Sequence, residues 1–480
     1  MDPLFLHSGT RLAEMIRSGE ITSREVVEAH IGRIEKVNPA INAVVATRFE
    51  EARSEADVAD RLVLSTPPEE LPPFHGVPCT IKECFALGGM PNTSGLVARK
   101  GIVVERDATT VSRFREAGAI PLGVTNVSEL CMWMESNNRV YGRTCNPYNP
   151  GHIVGGSSGG EGAIVGAGAS PFGLGSDIGG SIRMPAFFNG VFGHKPTGRM
   201  VPGTGQYPVA ENRALRYLTT GPITKRAEDL MPLLRIFAGP DGVDDQCLPF
   251  ELGEVSDVNI AELTVLDIRG NGAVKVSEDL RSAQSKCVDA LSKRGARVKT
   301  VRVDGLERSL EIWSAMLSNA GGKTFSELLG NGKPIRALPE ILRLSAGRSP
   351  HTIPAVFLAL FEKAPKFFPS RTGKAVEAGR ALRDALVELI GPDGVMLYPS
   401  YSRVAPAHNS PLFRPFDWIY TAIINVMELP STQVPLGLND DGLPLGVQVI
   451  GIHGNDHKTI AVAMELEKAF GGWVPPEQWS

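Results

Sequence analysis

Short runs of apolar residues alternate with amphipathic stretches along most of this chain. The runs at residues 79–82 and 395–399 have the length and residue types of buried strands. In the stretches 107–117 and 277–294, apolar residues recur every three or four positions, which predicts helices that pack one face on a sheet. The alternation predicts an α/β fold with a central mixed β-sheet flanked by helices on both faces.

The same two patterns predict the other elements. We expect further strands at residues 119–124, 172–175, 265–268, 296–301 and 446–450, and further helices at 49–64 and 161–169. Another helix is expected after Thr22, because Thr22 and Glu25 fit a capping box and apolar residues recur at helical spacing behind them. The pair Asn38-Pro39 should end that helix.

Glycine is the compositional outlier, since it makes up 52 of the 480 residues, well above its usual share of roughly 7%. The 53 acidic and 49 basic side chains nearly balance to a net charge of -4, which gives no electrostatic footprint for nucleic acid. No apolar run reaches about 18 residues, and the first residues lack a basic segment followed by an apolar one. We therefore expect neither a membrane span nor a secretory signal.

The cysteines and histidines indicate neither disulfides nor a metal site. The six cysteines include no C-x-x-C pair, and we interpret them as reduced thiols of a cytoplasmic protein. The nine histidines lack the zinc spacings H-x-x-x-H and H-E-x-x-H. We expect no metal and no cofactor.

Much of the glycine lies in two clusters that each contain serine. Residues 155–161 are Gly-Gly-Ser-Ser-Gly-Gly-Glu, and residues 176–183 are Ser-Asp-Ile-Gly-Gly-Ser-Ile-Arg. Glycine lets a substrate approach peptide N–H groups without a Cβ in the way. One such cluster is most simply a tight turn, whereas two of them between helices and strands favour a binding or catalytic site.

Of the chemistries that use such clusters, phosphate binding does not fit. It would need the lysine of G-x-x-x-x-G-K-[ST], which neither cluster contains. The residues around Ser157 do match the G-x-S-x-G elbow of an α/β-hydrolase-type esterase, which needs a strand running into the serine and a later acid and histidine. Prolines before Ser157 leave room for only a very short strand, and nothing distinguishes the candidates His408, His453 and His457.

A serine hydrolase with a lysine base is the other fitting chemistry. Ser181 follows Gly179 and Gly180, whose N–H groups could hold the oxyanion formed when Ser181 attacks a carbonyl. A lysine can take the serine proton only when it is neutral, which burial favours. Lys82 lies in an apolar, strand-like context and is the candidate base, although a strand-end lysine that reaches solvent is commoner. Strand alternation should send Glu83 to the opposite face.

At these residues the sequence is similar to the amidase signature family. The resemblance rests on residues 75–78 ahead of Lys82, on both serine clusters, and on residues 193–197 and 442–448. It covers nearly the whole chain and is loosest from about 241 to 410. Within the family the chain looks most like the fatty-acid amide hydrolases, particularly the second vertebrate form, at residues 90–95, 135–138 and 184–190. We expect no counterpart of their membrane-spanning N-terminus.

The resemblance implies the amidase signature fold and hydrolysis of a carboxylic amide to an acid and an amine or ammonia through an acyl-enzyme. Ser181 would be the nucleophile, Ser157, preceded by a cis peptide bond, the bridging proton relay, and Lys82 the base. Backbone N–H groups would form the oxyanion hole, namely those of Ile178, Gly179, Gly180 and Ser181. Supporting residues would be Ser158, Asp177 and Arg183, and the peptide carbonyl of Cys131 and the side chain of Met132 would line the substrate site.

Residues 334–368 combine many apolar side chains with interspersed arginines and lysines. In fatty-acid amide hydrolases a comparable region forms an apolar, membrane-facing entrance, which implies a fatty-acid or other hydrophobic amide as substrate and peripheral membrane contact. Helices covering the core, or a homodimer contact, would give the same pattern. An amidotransferase-type or non-catalytic binding subunit is a further alternative, against which the intact set of Lys82, Ser157 and Ser181 argues.

We expect a single amidase domain over residues 1–480, because no long polar linker divides the chain. Residues 1–64 would be an N-terminal helical segment, and 75–240 the signature core with the catalytic residues. Residues 241–415 would form the variable substrate-side region, and 416–480 the C-terminal part of the core.

Overall fold

The structure, a computed structural model, describes residues 2–362 and 369–479 and is built on an eleven-stranded sheet. The last residues of the predicted apolar region, 363–368, lie outside the described residues. The strands are β1 (Val44–Thr47), β2 (Pro78–Lys82), β3 (Ile120–Thr125), β4 (Asn137–Asn138), β5 (Gly142–Arg143), β6 (Phe172–Asp177), β7 (Phe192–Lys195), β8 (Thr219–Thr224), β9 (Thr264–Asp267), β10 (Arg297–Thr300), β11 (Gly394–Tyr398), β12 (Ser431–Leu438) and β13 (Pro444–Ile450).

Helices connect and cover these strands. They are α1 (Gly9–Arg17), α2 (Ser23–Ile41), α3 (Phe49–Val63), α4 (Thr109–Glu116), α5 (Gly159–Gly166), α6 (Arg183–Phe188), α7 (Leu230–Phe237), α8 (Glu278–Lys293), α9 (Ser309–Ala320), α10 (Phe325–Leu329), α11 (Ala337–Ser345), α12 (Ile353–Phe361), α13 (Pro369–Ile390), α14 (Ile419–Val426) and α15 (Asp456–Phe470). Every strand and helix predicted from the apolar pattern is present, with boundaries that differ by a few residues.

The strand order in the large sheet is β1-β3-β2-β6-β8-β7-β12-β13-β11-β9-β10. Strand β2 pairs in parallel with β3 and β6, and β9 pairs in parallel with β10 and β11, whereas the pairs between these groups are antiparallel. The sheet is therefore mixed, which confirms the predicted fold class.

Both faces of the sheet are covered, as β11 shows most clearly. Its residues Val395 and Leu397 belong to one buried apolar cluster, whereas Met396 and Tyr398 belong to another. Successive side chains of a strand point to opposite faces, so each face of β11 packs against its own apolar layer. This burial explains why the strand has a continuous apolar sequence rather than an alternating one.

Two features of the N-terminal region differ from the sequence expectation. Helix α2 has the predicted capping box at Thr22 and Glu25 but continues through Pro39 and ends at Ile41, with Asn42 in the left-handed region. Pro39 removes one hydrogen bond to the carbonyl four residues earlier, and the helix ends two residues after it. In addition, the predicted helical segment contributes β1, which pairs with β3 at the edge of the large sheet.

Candidate active site

The topology brings Lys82 next to the second serine cluster. Lys82 is the last residue of β2, and β6, its parallel neighbour, ends at Asp177. Parallel neighbours end at the same edge of a sheet, which is where open α/β sheets place their ligand sites. The first serine cluster lies against this edge, because α5 begins at Gly159 and packs on both strands.

Lys82 is completely buried and makes two hydrogen bonds to hydroxyl groups. Its Nζ donates to Ser157 Oγ at 2.7 Å and to Ser176 Oγ at 3.0 Å. Both serines are almost fully buried as well. The lysine therefore does not reach solvent, and among the described residues its Nζ donates to these two hydroxyls.

The backbone around Ser157 is tightly constrained. The Gly156–Ser157 peptide bond is cis, as the family resemblance implied. A Cβ on Gly156 would come within 2.1 Å of the Trp133 carbonyl oxygen, so only glycine fits there. The neighbouring Ser136 donates its hydroxyl to the carbonyls of Gly155 and Ser157, at 3.2 and 3.3 Å.

Ser181 lies next to this cluster and is slightly exposed, at 7%. The N–H of Ser158 donates to the carbonyl of Ser181 at 3.3 Å, which joins the two serine clusters through the backbone. Among the described residues, the Ser181 hydroxyl itself makes no hydrogen bond, so the pair with Ser157 is adjacent but not hydrogen bonded.

Asp177 organises the segment that carries Ser181. Its carboxylate accepts from the N–H groups of Gly180 and Ile182, at 2.6 and 3.0 Å, and from the guanidinium of Arg183 at 3.1 Å. Burial alone would raise the pKa of Asp177, but the Arg183 charge holds it well below its ordinary value. Arg183 also bonds Asn425 and Gln448, which fastens this segment to α14 and β13.

The peptide N–H groups differ in their availability. Because Gly180 donates its N–H to Asp177, that group is already engaged, contrary to the sequence expectation that it faces a substrate. The N–H groups of Ile178, Gly179 and Ser181 have no acceptor among the described residues. Gly180 has a φ of 120°, and a Cβ there would lie 2.1 Å from Thr421 Oγ1, so its glycine has a structural role.

Cys131 and Met132 lie in a loop beside Lys82. The consecutive residues Leu130 and Cys131 both have positive φ, at 52° and 59°, a conformation that persists only where the surroundings enforce it. The neighbouring Cys84 thiol lowers the pKa of Cys131, and a hydrogen bond with the Ser157 hydroxyl acts in the same direction. These interactions place the Cys131 thiol next to the pair of Lys82 and Ser157.

The loop is fixed to α12 by a carboxylate that sequence reasoning missed. Glu129 accepts from the N–H of Thr352 at 2.7 Å and contacts His351 Nδ1 at 2.7 Å, and all three side chains are buried. Met132 packs on a buried apolar cluster at the same junction, formed by Leu96, Leu130, Phe325, Leu329, Ala355 and Ala359. The variable region therefore reaches the loop beside the serine clusters.

Sequence reasoning also missed two tryptophans and Ser176. Trp313 donates its indole N–H to the carbonyl of Ile178 at 3.0 Å and stacks edge to face on Trp418, with ring centroids 4.7 Å apart. A Cβ on Gly179 would come within 3.0 Å of Trp418, so the pair forms a wall beside the unpaired N–H groups. The sequence could have indicated Ser176, because it directly precedes Asp177 in the second serine cluster. Nothing in the sequence around the two tryptophans indicated that they lie at this site.

The geometry does not fit a nucleophile elbow at Ser157. Between β5 and α5 no strand runs into Ser157 among the described residues, and the basic group at its hydroxyl is Lys82. Of the candidate histidines, His408 instead contacts Glu135 and the Pro150 carbonyl. Within the described residues, no group of His, Cys, Asp and Glu side chains is arranged to hold a metal ion.

Glu83 points away from Lys82, as strand alternation predicts. Its carboxylate accepts from the N–H groups of Thr93 and Ser94, from the Thr93 hydroxyl and from the Tyr141 hydroxyl, all within 2.6 to 2.7 Å. The chain thus places adjacent acidic and basic side chains in separate buried networks.

A second buried carboxylate, Glu161, lies under the site. Its two oxygens accept from the hydroxyls of Thr80 and Thr125, both at 2.8 Å. Burial raises the pKa of Glu161 to about 8, so the group is largely neutral at physiological pH.

Replacing Glu161 with glutamine should flatten the pH dependence of stability. The folded protein holds the Glu161 proton more tightly than the unfolded chain, whose glutamate has a pKa near 4.5. The stability linked to this proton is complete below about pH 4.5 and is lost as the pH rises through about 8. We expect the Tm of Glu161→Gln to gain several degrees relative to the parent protein between pH 5 and pH 9, measured by differential scanning calorimetry. Glu35→Gln, an exposed site on α2, should show no such gain, and equal behaviour of the two variants would contradict the prediction.

Comparisons with known proteins agree on one family. The family description Amidase matches residues 25–460. Human fatty-acid amide hydrolase 2 is 46% identical over 99% of this chain and 91% of that protein. The acylamidase of Rhodococcus erythropolis is 29% identical over 96% of this chain and 94% of that protein. Among solved structures, 6-aminohexanoate cyclic dimer hydrolase superposes with a TM-score of 0.83 at 27% identity, over 99% of both chains.

Proposed function

This chain belongs to the amidase signature family and is an amide hydrolase, and we propose that it works through Ser181, Ser157 and Lys82 on a hydrophobic amide. The observation that carries the proposal is the 2.7 Å hydrogen bond between Lys82 and Ser157, in a buried position beside Ser181. This contact supplies a base for a serine, and among the described residues no histidine contacts the hydroxyl of Ser157 or Ser181.

The first step is a proton transfer along the three residues. Neutral Lys82 takes a proton from the Ser157 hydroxyl, which takes one from Ser181, and the Ser181 oxygen attacks the amide carbonyl carbon. The negative charge that develops on the carbonyl oxygen is held by the unpaired N–H groups of Ile178, Gly179 and Ser181. Asp177 supports this arrangement by fixing the turn at Gly180.

The second step releases the amine. The proton now on Lys82 returns through Ser157 to the leaving nitrogen, the carbon–nitrogen bond breaks, and the acyl group stays on Ser181 as an ester. Water then attacks this ester by the same route, which gives the carboxylic acid and restores the Ser181 hydroxyl. Cleavage of an amide depends on this returned proton, because an unprotonated amine anion is a poor leaving group.

A hydrophobic acyl group is the substrate that the surroundings favour. Met132 packs on the apolar cluster to which α12 contributes Ala355 and Ala359, and Trp313 and Trp418 lie against Ile178 and Gly179. Farther out, Leu338 and Leu342 of α11 are 73% and 72% exposed. Exposed apolar side chains on a helix that packs near this apolar cluster suit a substrate that arrives from a lipid phase.

Oleamide should be a better substrate than propionamide or benzamide by roughly a hundredfold or more in kcat/KM. A long acyl chain gains about 0.8 kcal/mol for each buried CH₂, up to the length of the channel. The measurement is release of ammonia from each amide by the purified protein. Preference for propionamide or benzamide would reject the hydrophobic substrate but leave the roles of the three catalytic residues intact.

Met132 offers a direct probe of the acyl site. Met132→Ser should lower kcat/KM for oleamide by about tenfold with little effect on propionamide, since it removes apolar contact along the chain. Met464→Ser is the matched control. Met464 is also partly buried, but it packs on the core cluster that contains Val395 and Leu397. Equal losses on both amides would place Met132 outside the acyl site.

A further inference from the structure

A small cavity lined by arginines lies behind the segment that carries Ser181. It is enclosed by α9, by α13 and by residues 213–217, and its volume is about 60 Å³. This volume holds about two waters or one small anion. The lining consists of Arg213, Arg216, Tyr217, Met316, Asn319, Ala320, Val376, Arg380, Arg383 and Glu428.

The lining has a large excess of positive charge. Four guanidinium groups face the single carboxylate of Glu428 among the described lining residues, which leaves a net charge of +3. Glu428 forms an ion pair with Arg216 at 2.7 Å, and Arg383 forms one with the exposed Asp384 at 2.8 Å. Arg213 and Arg380 form no ion pair with the described residues. The side chains of Arg213 and Arg380 are exposed, and guanidinium groups without an ion pair are available to bind an anion.

The placement of these groups suits an oxyanion. Val376, Arg380 and Arg383 fall on one face of α13, opposite Arg213 and Arg216 on the facing segment. Tyr217, which follows Arg216 directly, also lines the cavity. Guanidinium groups on two sides of a cavity match the donor arrangement that binds phosphate oxygens.

The cavity is connected to the catalytic segment by hydrogen bonds. Asn425 donates its side-chain N–H to the carbonyl of Tyr217 at 3.2 Å and to the carboxylate of Asp177 at 2.9 Å. From the other wall, Trp313 of α9 bonds the carbonyl of Ile178. An anion that draws α13 and residues 213–217 together would therefore stabilise the backbone that holds Ser181.

We propose that this cavity is a binding site for a phosphate-type oxyanion, separate from the amide site. Binding would neutralise the arginines and join α13 to residues 213–217. Inorganic phosphate should therefore bind the purified protein at one site and raise its Tm by several degrees, relative to sodium chloride at equal ionic strength.

The test is isothermal titration calorimetry with inorganic phosphate on the parent protein and on two arginine variants. Arg380→Gln should weaken phosphate binding by at least about tenfold, since it removes an unpaired charge from the cavity. Arg371→Gln, on the same helix but outside the cavity lining, should bind phosphate like the parent. Arg213→Gln, on the opposite wall, provides a second cavity variant if Arg380→Gln does not fold.

Three results would overturn the proposal. The first is that the parent protein gives no binding heat with inorganic phosphate in calorimetry and no higher Tm in phosphate than in sodium chloride. The second is an equal loss of binding in Arg371→Gln and Arg380→Gln, which would indicate non-specific attraction. The third is binding only to vesicles that contain phosphatidylglycerol, with no response to inorganic phosphate, which would assign the arginines to a lipid surface.

Discussion

Ser181→Ala should abolish amide hydrolysis while leaving the fold intact. In the proposed mechanism the hydroxyl forms the bond to the acyl group, and removal of a catalytic serine costs on the order of 10⁴ to 10⁶ in kcat. Its Oγ makes no hydrogen bond among the described residues, so its loss should change Tm by little. The measurement is ammonia release from oleamide, with circular dichroism and thermal unfolding to establish the fold.

Two controls make this result specific. Ser170→Ala removes another buried hydroxyl, which donates to the Phe172 carbonyl, and should affect stability rather than kcat. A fluorophosphonate should label Ser181 in the parent protein and nothing in Ser181→Ala. Full activity of Ser181→Ala, or a label located on Ser157, would reject the proposed mechanism and favour the elbow alternative.

Lys82→Met should lower kcat by about 10² to 10⁴ and shift the remaining activity to higher pH. The substitution keeps the length of the side chain but removes the group that accepts the Ser157 proton, and loss of a general base typically costs that much. Without an internal base, deprotonation of the serines depends on hydroxide, so the rate should rise with pH. The measurement is the pH profile of kcat/KM on oleamide between pH 6 and pH 10.

Lys225→Met is the matched control for this change. Lys225 is also fully buried, but its Nζ donates to the carbonyl of Phe5, far from the serine clusters. Its replacement should reduce stability and leave kcat and the pH profile unchanged. An unchanged pH profile in Lys82→Met would mean that another group accepts the proton.

The arrangement at Gly180 illustrates how the structure refines the catalytic hypothesis. The sequence presents four successive N–H groups, from Ile178 to Ser181, as equivalent donors. In the folded chain the Gly180 N–H is bound to Asp177, and the three others are unpaired among the described residues. The Asp177 carboxylate thus fixes the backbone at Gly180 and leaves the three other N–H groups available to an oxyanion in the proposed mechanism.

The local sequence pattern was sufficient to predict most of the strands and helices of this protein. Apolar runs and helical spacing predicted the strands and helices, because burial on a sheet imposes those periods on the sequence itself. The capping box at Thr22 was equally predictable, since both partners lie within one turn. The two glycine–serine clusters and Lys82 also stood out in the sequence, because glycine-rich turns and a lysine inside an apolar run are unusual residue patterns.

Contacts between distant residues were decided only by the tertiary structure. Lys82 is 75 residues from Ser157 and 94 from Ser176, so no local period records which hydroxyls it meets. The same holds for Trp313 at Ile178, for Glu129 at α12, and for the arginine cavity. Each of these contacts depends on the strand order and on helix packing. Both are set by the free energy of packing the whole core, not by any local stretch of sequence. The sequence by itself therefore determined the elements and the chemically active residues, and the fold determined which of those residues meet.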